Sequence, residues 1–244
     1  EVAALSGKDA KAAEEKVIGF IADVRGMIAH AGDTSNLILD PDLDSYYMMD
    51  VTLLAMPQTI DRLSVIGATL GAELKPEAIL YASQKTEAAV FARMLSEADI
   101  GRVTADMDVV FKEDPNFYGV SPTLKQAVEP LLLSYAKDNK DFSDVVTKIS
   151  GGESVIRGNF LSGWYGATQS AYGFWIGGIE ELDKFLSIRI ASYKQQQLKV
   201  LMVSAVGVVL SLLVFFLVSK SITRPLGNLT GAMAKLTQGD LSAD

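Results

Sequence analysis

Asp40, Asp42, Asp44 and Asp50 crowd the segment ILDPDLDSYYMMD, with Tyr46 and Tyr47 among them. Carboxylates and aromatic faces both attract positive charge, so this corner has the chemistry to hold an amine or another cation. Oxygen ligands at this density also suit weak Ca²⁺ binding, but the glycine-turn spacing of an EF-hand loop is missing. The same residues have a plainer use. Asp40 precedes Pro41 and is thereby steered out of helical conformation. Pro41 suits a first helical position, and Asp42 and Asp44 favour the positive end of the helix dipole. Capping alone accounts for the aspartates and is the preferred reading, with cation binding as the alternative.

Arg25, Arg62 and Arg93 fall on three different predicted helices. Brought together, in one chain or across a dimer, they would offer forked donors to a carboxylate ligand. Apart, they are ordinary solvated arginines, which is the commoner fate. The candidate ligand-binding set is therefore Arg25, Asp44, Tyr46, Tyr47, Arg62 and Arg93. Trp164, Tyr165, Tyr172, Phe174 and Trp175 read as core or dimer surface rather than a ligand cage. His30 is the only histidine and there is no cysteine. A histidine-based triad, a thiolate metal site and disulfides are thus ruled out or disfavoured. No nucleophile, phosphate loop or metal set emerges, so no catalytic residue, metal or cofactor is expected. A net charge of −8 argues against nucleic-acid binding, which needs basic patches.

The elements that must position these residues are helical throughout, with no convincing strand alternation. A first helix is expected from about Gly7 to Leu39, with Val17, Ile21, Val24 and Ile28 as its apolar stripe. A second carries Met49, Leu53, Met56, Ile60, Leu63 and Leu70 and should kink at Pro57. A third runs from Pro76 to about Phe111. Ser121-Pro122 starts a fourth, with a short helix over 142–149 after it and Gly151-Gly152 as a turn. From about Glu153 nothing stops the last helix, whose stripe includes Phe160, Trp164, Ala167, Ala171, Leu182 and Leu186. Its upper half is rich in glycine, from Gly158 to Gly178, which suits either close packing or bending.

Val200 to Ser219 reads VLMVSAVGVVLSLLVFFLVS, without a charge and bracketed by Lys199 and Lys220. At about 1.5 Å per residue this length spans roughly 30 Å, the thickness of a bilayer's hydrocarbon core. Lysines and arginines flank it on both sides, so charge alone orients it weakly. Beyond it, Ile222, Leu226, Leu229, Met233 and Leu236 recur at spacings of 4, 3, 4 and 3, a heptad pattern suited to packing against partner helices. Pro225 suits a first helical turn and Gly239 a left-handed helix end.

The string ITRPLGNLTGAMAKLTQGDLS resembles the first helix and early connector of a HAMP domain, through Arg224-Pro225-Leu226, the heptad pattern and Gly239-Asp240-Leu241. The segment 35–50, with the following helix and the stretch from Leu182 to Arg189, resembles sensory regions of methyl-accepting chemotaxis proteins and, less often, of sensor kinases. The resemblance implies an all-α, elongated antiparallel helical bundle over 1–197, outside the cell membrane in the periplasm or extracellular space. It implies a transmembrane helix over 198–220 and part of a cytoplasmic HAMP domain over 221–244. Arg224, Pro225, Leu226, Leu229, Met233, Leu236, Gly239 and Asp240 would relay the signal. It further implies a homodimer, a small-molecule ligand or a periplasmic binding protein outside, and cytoplasmic signalling proteins inside. A sensor histidine kinase or diguanylate cyclase with the same front end is the alternative, and a membrane-tethered scaffold a third reading. Glu1 at the start, the missing second HAMP helix and the missing first transmembrane helix of such receptors suggest a chain cut at both ends.

Overall fold

The computed structural model describes residues 7–74 and 82–239. Among them every regular element is helical. The principal helices are α1 (Gly7–Thr34), α2 (Leu43–Met49), α3 (Met56–Glu73), α4 (Ala82–Arg93), α5 (Arg102–Glu113), α6 (Leu124–Gly151) and α7 (Arg157–Thr237). The expected helix start at Pro76 lies outside the described residues, as do Asp240 and Leu241.

The first helix is shorter than its periodicity predicts. Hydroxyls compete with the helical ladder at its end: Thr34 Oγ1 donates to the His30 carbonyl at 2.8 Å and Ser35 Oγ to the Ala31 carbonyl at 2.7 Å. Asn36 then takes the left-handed conformation at φ 57°, and a single 3-10 turn covers Leu37–Leu39.

The kink expected at Pro57 takes another form. Proline lacks an N–H, and its ring crowds the preceding turn. The chain widens just before it into a π-helical stretch, Asp50–Ala55, in which the Met56 N–H reaches back five residues to the Val51 carbonyl. A second π-helical stretch, Met94–Gly101, joins α4 to α5.

The loop between α5 and α6 is fastened by Asp114, whose two carboxylate oxygens accept the Ser121 N–H at 3.1 and 3.0 Å. Ser121 Oγ in turn accepts the N–H groups of Thr123 and Leu124, the cap that Ser121-Pro122 predicts. The short helix over 142–149 is not separate: α6 runs unbroken through Pro130 to Gly151 and ends on Gly152 in a left-handed cap at φ 80°.

The chain divides into two units, Glu1–Arg189 and Ile190–Asp244. The first has a continuous apolar core. Met48, Met56, Leu63, Leu95, Met107, Tyr135, Phe142 and Phe160 are fully buried within it. Tyr135 stacks on Phe174 with centroids 5.3 Å apart, and Phe142 meets Phe160 at 5.4 Å. Polar pegs cross the core. Asn139 Nδ2 donates to the carbonyls of Tyr135 and Ala167, at 3.0 and 3.2 Å. The indole N–H groups of Trp164 and Trp175 donate to the carbonyls of Leu63 and Thr52, at 2.8 and 2.6 Å. Part of the glycine run of α7 serves close packing. A Cβ on Gly177 would sit 2.5 Å from Leu131 Cδ1, and one on Gly178 would sit 3.0 Å from Thr52 Cγ2. Gly158, Gly166 and Gly173 have open space around them.

Among the described residues the second unit is the rest of α7 and the turn that ends it. Among the described residues α7 alone is long and apolar enough to cross a membrane, and its apolar stretch is 0% buried within the chain. Pro225 lies inside this helix rather than at the start of a new one.

Candidate functional site

Asp40 is extended, at φ −61° and ψ 124°, as its place before Pro41 requires. Its Oδ1 accepts the Asp42 N–H at 3.0 Å, and its Oδ2 accepts Ser45 Oγ at 2.9 Å. A third donor arrives from far along the chain. Arg189, near the end of the first unit, places Nη1 at 2.8 Å from Asp40 Oδ2 and Nη2 at 2.7 Å from Asp42 Oδ2. Nη2 also donates to Ser45 Oγ. Tyr118 completes the group: its hydroxyl donates to Asp42 Oδ2 at 3.0 Å, and its ring lies 6.0 Å from the guanidinium carbon. The Asp40 carboxylate is 1% exposed and the Arg189 side chain 14%.

The acidic corner therefore holds a cation of the protein's own. The void beside it, lined by Ser45, Tyr118 and Arg189 among others, measures about 10 Å³. That is room for one water at most. Asp44 lines the same small void, with its Oδ1 accepting the Ser45 N–H at 2.6 Å. Burial pushes its carboxyl above the usual range. Tyr46 and Tyr47 meet edge to face at 5.3 Å and pack on the core.

The three arginines singled out by sequence each answer a different carboxylate. Arg25 Nη1 meets Asp61 Oδ2 at 2.6 Å, joining α1 to α3. Arg62 Nε meets Asp99 Oδ2 at 2.7 Å, with both side chains nearly buried and Thr59 Oγ1 donating to the other oxygen at 3.2 Å. Arg93 pairs with Glu97 one turn on, at 3.2 Å, fully in solvent. His30 is exposed. Arg224, Pro225, Leu226, Leu229, Met233 and Leu236, expected from sequence to form a relay, all lie on α7, and Leu226, Leu229, Met233 and Leu236 are exposed. Gly239 is left-handed at φ 79° and donates to the Leu236 carbonyl at 3.1 Å, the helix end its position predicts.

Sequence reasoning missed a second, part-buried ionic group. Arg102 donates from Nε and Nη2 to the two oxygens of Asp50, at 2.9 and 2.6 Å. Asp106, one turn beyond Arg102, shares the space. Its carboxyl is pushed up to about 7, first by burial and then by its hydrogen bond to the Asp50 carboxylate and the charge there. Folding thus raises its proton affinity. The unfolded chain loses that proton near the ordinary carboxylate range, about pH 4, and the folded chain keeps it to about pH 7. Stability should fall as pH rises between those limits and level off above them. Asp106→Asn supplies the hydrogen-bond donor without a proton to lose. Its melting temperature should match the parent at pH 4 and exceed it at pH 8, as read by circular dichroism. An unchanged difference between the two pH values would disprove the shared proton.

No protein-family model, no curated protein and no solved structure matches this chain.

Proposed function

We propose that this chain is the front end of a bacterial transmembrane receptor of the chemotaxis type. Residues up to about 197 sense a ligand outside the cell membrane, α7 crosses it, and the segment from Arg224 onward acts as the first helix of a HAMP relay in a homodimer. The observation that carries this reading is the composition of one helix. Within α7, Phe160, Ala167, Ala171, Phe174, Leu182 and Phe185 are buried in the first unit's core. The same helix carries the charge-free apolar stretch and then Ile222, Leu226, Leu229, Met233 and Leu236, exposed and at heptad spacing. A side-chain pattern that changes from core to lipid-facing to coiled-coil on one helix suits a signal passed along it.

The reading takes the first unit as an antiparallel helical bundle, with the Arg189 clamp fastening the end of α7 that precedes the apolar stretch. A ligand that binds one arrangement of these helices better than another biases the equilibrium by that difference in affinity. The relay is tested in a chimera joining residues 1–244 to the cytoplasmic signalling part of a chemoreceptor of known output. Leu229→Asp and Pro225→Ala should each change swimming bias at unchanged expression. Parental behaviour in both variants would refute the relay.

A further inference from the structure

Between α1, α3 and α7, within the first unit, lies a cleft of about 270 Å³. Ligand sites usually run from about 300 to 1,000 Å³, so this one takes a single small molecule. Its walls are apolar: Val24 and Ile28 from α1, Pro57 and Ile60 from α3. Tyr172 and Trp175 of α7 close one side, their rings tilted at 48° with centroids 6.2 Å apart. The π-helical stretch that accommodates Pro57 ends two residues before it, an irregularity frequent at functional sites.

Polar chemistry enters at one edge, through Arg25, Asp61 and the exposed Ser64. Arg25 uses Nη1 alone on Asp61 Oδ2, at 2.6 Å. Its Nε and Nη2, and Asp61 Oδ1, have no partner among the described residues. A guanidinium edge and a carboxylate oxygen therefore stand side by side, 37% and 25% exposed, on the rim of a mostly apolar space. A ligand carrying only a carboxylate would set two anions on the one cation of the lining. A ligand carrying only an amine would set two cations on the one anion. A molecule with both groups leaves the cleft neutral and gives each charge a partner, which keeps the desolvation cost lowest.

We infer that this cleft binds a small zwitterion with an apolar side group, about the size of one amino acid. Its carboxylate lies on Arg25, its ammonium on Asp61, and its side group against Tyr172, Trp175 and Ile60. This ligand class rests on the reading of the first unit as a sensor.

The test is isothermal titration calorimetry on the detergent-solubilised chain with L-phenylalanine, L-leucine, 3-phenylpropionate and phenethylamine. The two amino acids should give saturable heats, and the acid and the amine should bind at least roughly tenfold more weakly. Arg25→Ala and Asp61→Ala should each weaken L-phenylalanine by roughly tenfold or more. Ser64→Trp, which fills the cleft from its polar edge, should abolish binding while the circular dichroism spectrum stays helical. Absence of saturable heat from both amino acids with a folded chain would overturn the assignment. So would equal affinity for the acid or the amine, or a cleft found covered by a second copy when single cysteines at Phe20 and Ser64 are cross-linked. Binding without any effect on the output of the chimera would leave this site standing and remove the receptor reading instead.

Discussion

Arg189→Met lowers the stability of the detergent-solubilised chain by about 3–5 kcal/mol, the cost of leaving a buried charge unpaired. Asp40 is the charge in question, 1% exposed and left with Ser45 as its only side-chain donor. Asp42 keeps Tyr118 but loses its cation. For a chain of this size the melting temperature falls by on the order of 10 °C. Arg189→Lys restores the charge but not two separate donors on two carboxylates, so it recovers only part of the loss. Arg93→Ala provides the contrast, because its pair with Glu97 is 77% and 65% exposed and should change stability by less than about 0.5 kcal/mol. Equal melting temperatures for Arg189→Met and Arg93→Ala would show that the clamp contributes nothing.

Arg62→Ala is the second large effect, and its size depends on pH. Asp99 is 2% exposed and keeps only the Thr59 hydroxyl once Arg62 is gone. Burial already holds its carboxyl above the ordinary range, and Arg62 is the leading influence pulling it down. Without Arg62 the carboxyl rises further, so the folded chain binds a proton that the unfolded chain has lost. The variant should therefore be destabilised by about 3–5 kcal/mol at pH 8 and by clearly less at pH 5, where Asp99 takes up its proton. Melting curves at the two pH values decide it. A loss that is the same at both would mean that Asp99 stays ionised or that the damage is packing alone.

These two arginines mark the boundary of what the sequence discloses. Local rules carried far: the extended Asp40 before Pro41, the Ser121 cap, the Gly152 and Gly239 helix ends and the charge-free stretch of α7 follow from neighbours within a turn or two. Partnerships between distant residues do not. Arg189 meets Asp40 across 149 positions, and a basic residue shortly before an apolar stretch reads equally well as a membrane flank. Arg62 sits beside Asp61 on α3 and looks like a solvated charge, yet it is one of the least exposed arginines, because Asp99 arrives from the second π-helical stretch. Periodicity also marks the stretch from Met49 to Leu70 as helical but cannot show how Pro57 is accommodated. Kinking and π-widening answer the same missing hydrogen bond with the same apolar spacing. The cleft beside Pro57 escaped for a related reason, since Tyr172, Trp175 and Val24 read one by one as core or surface.

The most direct test of the account is the sidedness of α7. The chain has no cysteine, so single cysteines give an unblemished signal. Glu153→Cys and Thr230→Cys, both at exposed positions, are expressed in bacteria and treated with a membrane-impermeant maleimide before and after permeabilisation. A sensor outside and a relay inside predict labelling of Glu153→Cys in intact cells and of Thr230→Cys only after permeabilisation. Labelling of both in intact cells, or of neither, would place the two ends on one side and contradict the transmembrane receptor.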